Sequence, residues 1–240
     1  MWGRDAEECD VREGATDHPL SRDIRAAAMT GPQAPRGRRR RTIVTAAAWL
    51  YLVVWIATAV EPVDRYDWFL ENLLVFALAA VLVASYRRFP LSDASYLCML
   101  AFLAMHAVGA HYTYSLAPPG FALSELLGLT RNHYDRAIHF AFGLLFALPV
   151  REVLLRTSNL RGLRLGFVTV AMLLAASAGY ELVEWWVALL VDPHAAYAYL
   201  GTQGDLFDSQ KDESLALVGA LAGVALGAAA ARLRNGCESG

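Results

Sequence analysis

Charge is scarce in this 240-residue chain. Asp, Glu, Lys and Arg supply 18% of its residues while 56% are hydrophobic, a poorer charge content and a richer apolar one than a soluble domain carries. Cysteine is scarcer still: Cys9, Cys98 and Cys237 are too scattered for a C-x-x-C motif and too few for a disulfide framework. Strict apolar-polar alternation is missing too, which speaks against a β-barrel. The apolar residues gather instead in near-continuous blocks of membrane-spanning length. That pattern excludes a soluble enzyme, a disulfide-stapled secreted domain and a nucleic-acid binder.

Six such blocks occur, at about 42–60, 70–86, 91–110, 137–155, 165–191 and 214–231, each near the ~20 residues a helix needs to cross hydrocarbon. The chain therefore reads as an all-α, polytopic membrane protein of six transmembrane helices, with the lipid bilayer as its first partner. Residues 1–41 mix acids and arginines with Gly and Pro and read as a disordered basic tail. The membrane domain is expected over 42–231 and a short tail over 232–240. The first block is too long for a signal-peptide core, and no small-residue cleavage site follows it. Met29 offers an alternative start.

Seventeen of the 21 basic residues fall in the N-terminal tail, at Arg87 and Arg88, between Arg151 and Arg164, or at Arg232 and Arg234. Only Arg65, Arg131, Arg136 and Lys211 fall on the other side. The positive-inside rule then puts both termini in the cytoplasm and turns the connections 61–67, 111–136 and 192–213 outward. Trp68, Trp185 and Trp186 fall near outer helix ends, where interfacial anchoring is expected.

The ionisable residues of the spans gather at that same outer face. His106 closes the third span; His133, Asp135 and His139 straddle the start of the fourth; Glu181 and Glu184 occupy the outer third of the fifth; Asp205, Asp208 and Asp212 lead into the sixth. Helical spacing puts Asp135 with His139 on one face, Glu181 with Glu184 on another, and makes a stripe of the three later aspartates if that segment is helical. Carboxylates are costly in hydrocarbon, about 2.5 kcal/mol or more each, so a cluster of them needs partners.

One reading is a metal site. His106, His133, Asp135, His139, Glu181, Glu184, Asp205, Asp208 and Asp212 are its candidate ligands. Imidazole with carboxylate suits Zn, Mn or Fe, and an oxygen-only subset suits Mg or Ca. No H-E-x-x-H motif is present. The other reading is an ion-pair network, for example Arg136 with Glu181 or Lys211 with Asp208. Gly219, Gly223 and Gly227 form a small-residue ladder on the sixth span, fit for packing within the chain or in a homo-oligomer.

Three strings carry a family resemblance: Arg131-Asn132-His133-Tyr134-Asp135-Arg136-x-x-His139-Phe140, Tyr180-Glu181-x-x-Glu184-Trp185-Trp186, and Gly201-Thr202-Gln203-Gly204-Asp205-x-x-Asp208-x-Gln210-Lys211-Asp212. They resemble the YjdF-type bacterial inner-membrane proteins, a family of unassigned function, over about residues 46–227. That resemblance implies a multi-pass place in the bacterial inner membrane. A fainter likeness over the last three spans is to the VanZ-like membrane proteins. Asp135, Arg136, His139, Phe140, Glu181, Asp212, Gly219 and Ala220 follow the VanZ-like pattern, whereas Glu184 stands for its Gln and Ala216 for its Asn.

Three functions remain open at this point. The chain reads first as a membrane-embedded enzyme acting on a lipid-linked or cell-envelope substrate, with His139, Glu181 and Asp212 as catalytic residues and a divalent metal (Zn, Mn, Fe or Mg) as cofactor. It reads second as a small transporter or proton-coupled permease. A non-catalytic structural or sensory subunit is the third.

Overall fold

The computed structural model describes residues 36–238, so residues 1–35 of the tail expected over 1–41 lie outside the described residues. The residues from Arg40 onward form one compact unit, and every apolar block lies in it. The helices are α1 (Arg36–Ala59), α2 (Arg65–Ser85), α3 (Asp93–His111), α4 (Pro118–Leu127), α5 (Tyr134–Thr157), α6 (Gly162–Ala188), α7 (Pro193–Leu200) and α8 (Asp208–Glu238). Among the described residues there is no strand. Six helices, α1, α2, α3, α5, α6 and α8, are long and apolar enough to cross a membrane, one for each apolar block.

The helices outrun the apolar blocks at several ends. α1 starts at Arg36 and α8 continues to Glu238, so helix enters both segments expected as tails. α2 starts at Arg65 because the Asp64 side chain accepts hydrogen bonds from the Tyr66 and Asp67 N–H groups, satisfying donors that a helix start leaves open. This brings Asp67 inside a spanning helix, one turn before Glu71. α4 and α7 lie within the two long connections, where the apolar pattern predicts no helix. Proline in the first turn of α4 and a left-handed Gly128 after its end mark its limits.

The outer surface is apolar: Leu163, Val83 and Phe167 are 94%, 77% and 75% exposed, as lipid-facing side chains are. The interior is more polar, with Glu71, Asn72, Ser95, Thr169 and Asp212 almost fully buried. Trp68 belongs to this interior and not to the interface. It is buried and its ring packs against Trp55 of α1 at 5.6 Å. Trp185 and Trp186 remain half-exposed, as interfacial anchors are.

The centre of the bundle is the contact of α5 with α8. Gly143 lies against the backbone of Ala216 and Ala220, and Gly219 against the backbone of Phe140 and Leu144. A Cβ at either glycine would run into main chain, so these positions let the backbones touch. Farther along, Gly223 meets Leu144 and Ala147, and Gly227 faces Arg151. Both residue series ascend together, so the two helices run parallel. Their acid-bearing first turns, with Asp135 and Asp208, therefore lie at one end. The glycine ladder is covered by α5 within the chain, which removes it as a surface for a homo-oligomer.

Candidate functional site

The connection before α5 and the connection before α8 are tied to each other by backbone and charge. Asn132 donates from its side chain to the Ala117 carbonyl and accepts from the Tyr134 N–H. Its main chain exchanges two hydrogen bonds with the Gln203 amide, at 3.1 and 2.9 Å. Arg131 then reaches Asp208 with both terminal nitrogens, at 2.7 and 3.2 Å. Arg136 bridges Asp205 at 2.6 Å and Asp208 at 2.9 Å. Lys211 adds a third cation to Asp205, at 2.6 Å. The Lys211 ammonium, the Phe207 N–H and the Arg136 guanidinium hold the Asp205 carboxyl well below the usual carboxylate range. Ion pairing thus occurs, but not in the combinations suggested by the sequence: Arg136 takes Asp205 and Asp208, and Lys211 takes Asp205.

Deeper in the bundle, His139 is the hub. Its Nδ1 is 3.1 Å from the Ser177 hydroxyl, and its Nε2 is 3.4 Å from Glu181 and 3.7 Å from Asp135. One imidazole thus has a hydroxyl on one side and two carboxyl groups on the other. Glu184, one turn beyond Glu181, shares the hydroxyl of Tyr180. That hydroxyl also donates to Glu71 at 2.6 Å.

His106 is engaged on both ring nitrogens. Its Nε2 lies 3.2 Å from the Glu71 main-chain carbonyl, which can only accept, so Nε2 carries the proton. Its Nδ1 then accepts from the Tyr114 hydroxyl at 2.5 Å. Burial and the negative charges of Glu71 and Asp135 raise the Tyr114 phenol well above its ordinary value, keeping it a donor. No lone pair of His106 is left for a metal. His133 accepts from Arg136 at 3.1 Å through Nδ1. Burial and the adjacent Arg136 and Arg131 charges lower its pKa, so the ring stays neutral with its Nδ1 lone pair committed to Arg136.

The expected nine-ligand cluster therefore resolves into separate groups. Among the described residues, ligand atoms of Asp135, Asp208 and Asp212 all lie within 4.8 Å of one another. His106 and His133 have private partners, Asp205 is held by cations, and Glu184 is joined to Tyr180. Of the expected catalytic trio, His139 and Glu181 are neighbours while Asp212 stands with Asp135 and Asp208.

Sequence reasoning missed Glu71, Ser177, Tyr114 and Tyr180. The available signal was Asp67 and Glu71 at helical i, i+4 spacing where the second apolar block opens.

A cavity of about 230 Å³ opens beside the hub. Its polar lining residues are Asp135, His139, Ser177 and Tyr180, with His106 and Tyr114. Its remainder is apolar, formed by Leu78 of α2, Phe102 of α3, and Phe142 and Phe146 of α5. Phe142 and Phe146 lie one and two turns beyond His139, so the wall passes from polar to apolar along a single helix.

The family model described as a predicted membrane protein (DUF2238) matches residues 43–233. The chain is 39% identical over 180 residues to "Inner membrane protein YjdF" of Escherichia coli (strain K12), covering 75% of this chain and 86% of that protein. No solved structure matches.

Proposed function

Because the chain belongs to the DUF2238 family of predicted membrane proteins, we propose that it is a multi-pass inner-membrane enzyme that takes an amphiphilic, lipid-linked substrate at its outward face. The observation that carries this reading is the split lining of the cavity. Imidazole, carboxyl and hydroxyl groups share its lining with aromatic and aliphatic side chains, and along α5 the lining passes from Asp135 and His139 to Phe142 and Phe146. A lipid tail buries its apolar surface against Leu78, Phe142 and Phe146, which brings its polar group to His139. His139 is placed to take a proton from an attacking water or hydroxyl, with Asp135 and Glu181 beside the imidazolium that forms.

Along α5 the polar lining of the cavity gives way to phenylalanine before Arg151 is reached. A polar path running onward past Arg151 would have favoured a permease. The inner-membrane assignment draws on the E. coli relative, itself an inner membrane protein. The outward facing of the site rests on the arginine asymmetry, with both termini cytoplasmic. The fainter VanZ-like pattern at Asp135, His139 and Glu181 falls on this same hub.

The test is photolabelling of the full chain in lipid nanodiscs with a diazirine-bearing polyprenyl phosphate. Adducts are expected on α5 around Phe142 and Phe146, competed by unlabelled polyprenyl phosphate. Labelling confined to lipid-facing residues such as Leu163 and Phe167 would refute the reading.

A further inference from the structure

Asp212 is 2% exposed, and its Oδ1 accepts no hydrogen bond. The nearest cationic nitrogen, Arg136 Nε, stands 3.9 Å away and is itself without an acceptor. A carboxylate oxygen buried in this way is costly unless something positive completes it. The same oxygen-rich corner holds Asp135 and Asp208, with ligand atoms of all three residues within 4.8 Å. We propose that Asp135, Asp208 and Asp212 hold a hard divalent cation of calcium size.

Charge and valence agree. Asp135, Asp205, Asp208 and Asp212 face three cations, Arg131, Arg136 and Lys211, which leaves an excess of negative charge before Glu181 is counted. Asp208 Oδ1 already accepts from both arginines, while its Oδ2 accepts only from Arg131. Each carboxylate oxygen has two lone pairs, so Oδ2 retains one for a metal. The set is purely oxygen, since His106 and His133 are committed elsewhere and His139 is outside the trio. Oxygen ligands select Ca²⁺ or Mg²⁺ over zinc. Of the two, Ca²⁺ accepts irregular oxygen geometry, whereas Mg²⁺ demands a near-ideal octahedron, so three carboxylates fixed on two helices suit Ca²⁺.

Asp135 and Asp208 come from the first turns of α5 and α8, where aligned backbone dipoles stabilise the carboxylates, and Asp212 follows one turn later on α8. Three carboxylates leave coordination positions open, and Arg131 and Arg136 lie alongside. Such a centre takes a phosphate oxygen. In that respect the proposal rests on the lipid-linked substrate reading; binding of the cation alone does not.

The experiment is equilibrium dialysis of Ca²⁺ against the purified full chain in nanodiscs of zwitterionic lipid. One saturable Ca²⁺ per chain is expected, weakened about 10-fold or more by Asp135→Asn and by Asp212→Asn. Glu125→Gln, on the exposed side of α4, serves as a control that retains the site. The absence of saturable binding by the parent protein up to about 10 mM Ca²⁺, beyond the weakest protein sites, would overturn the proposal whatever the variants do. So would displacement of Ca²⁺ by an equal concentration of Zn²⁺, or binding unchanged in both Asn variants. A Ca²⁺ site without polyprenyl labelling would separate this proposal from the one before it.

Discussion

The Tyr180 hydroxyl donates to the Glu71 carboxyl at 2.6 Å, joining α6 to α2 across the interior of the bundle. Tyr180→Phe keeps the ring and removes only the hydroxyl. It leaves a buried carboxyl oxygen without its donor, which costs about 1–3 kcal/mol and more if the group is charged. The melting temperature in detergent should fall, and Glu71→Gln should lower it as well. The double variant should lose less than the sum of the two, because one pair has been removed once. Strict additivity would show that the two side chains do not interact.

Gly219 meets the Phe140 carbonyl where α5 and α8 touch. A larger residue there must separate two backbones, and overpacking of a filled core costs about 1–3 kcal/mol even where side chains can yield. Gly219→Leu should therefore lose most folded protein in the membrane, with Gly219→Ala intermediate. Gly227, which has only the flexible Arg151 side chain nearby, should accept alanine with little change. Size-exclusion recovery of the three variants checks this order.

Asp205 makes a pH prediction with a definite sign. Lys211, the Phe207 N–H and Arg136 depress its pKa in the folded state, below the value of about 3.9 expected in an unfolded chain. A depressed carboxyl contributes stability that is present above the unfolded value and lost as pH falls through the folded one. Asp205→Asn should thus lower the melting temperature by a constant amount from pH 8 to about pH 5, with the gap closing only in stronger acid. Because Lys211 is half-exposed, added salt should narrow the gap at every pH. A gap that widened on acidification would contradict the assignment.

The six spans were legible because hydrocarbon requires long apolar runs, and nothing else in the chain imitates them. The common placement of Asp135, His139, Glu181 and Asp212 was legible for a related reason: helices of known length put their ends at known depths. The pairings were not. Whether Arg136 reaches Glu181 or Asp205 depends on the azimuth of α5 against α8, which the Gly143 and Gly219 contacts set and periodicity does not report. Asp67 escaped notice because an apolar-block criterion starts α2 too late, whereas Asp64 caps the helix about one turn earlier; Glu71 lies just inside that block and was passed over as a single acid at its edge. The polar-to-apolar cavity needs Leu78 and Phe102 from two other helices beside α5, a juxtaposition no single segment contains.

The orientation of the bundle is the remaining handle on what the site can meet. Arg87, Arg88, Arg151, Arg156, Arg161 and Arg164 lie at the ends of α2, α3, α5 and α6 away from the aspartate cluster, and basic residues are retained on the cytoplasmic side. A green fluorescent protein fused after Gly240 should therefore fluoresce, and alkaline phosphatase at the same point should be inactive. A single cysteine at Thr130, next to Arg131, should react in intact spheroplasts with a membrane-impermeant maleimide, after Cys9, Cys98 and Cys237 are replaced by serine. The opposite pattern would put the His139 cavity and the three aspartates on the cytoplasmic side. It would exclude an outward substrate while leaving the geometry of the cavity untouched. Replacing Arg161 and Arg164 by Gln should weaken the bias without inverting it, since the remaining arginines still outnumber the few on the other face.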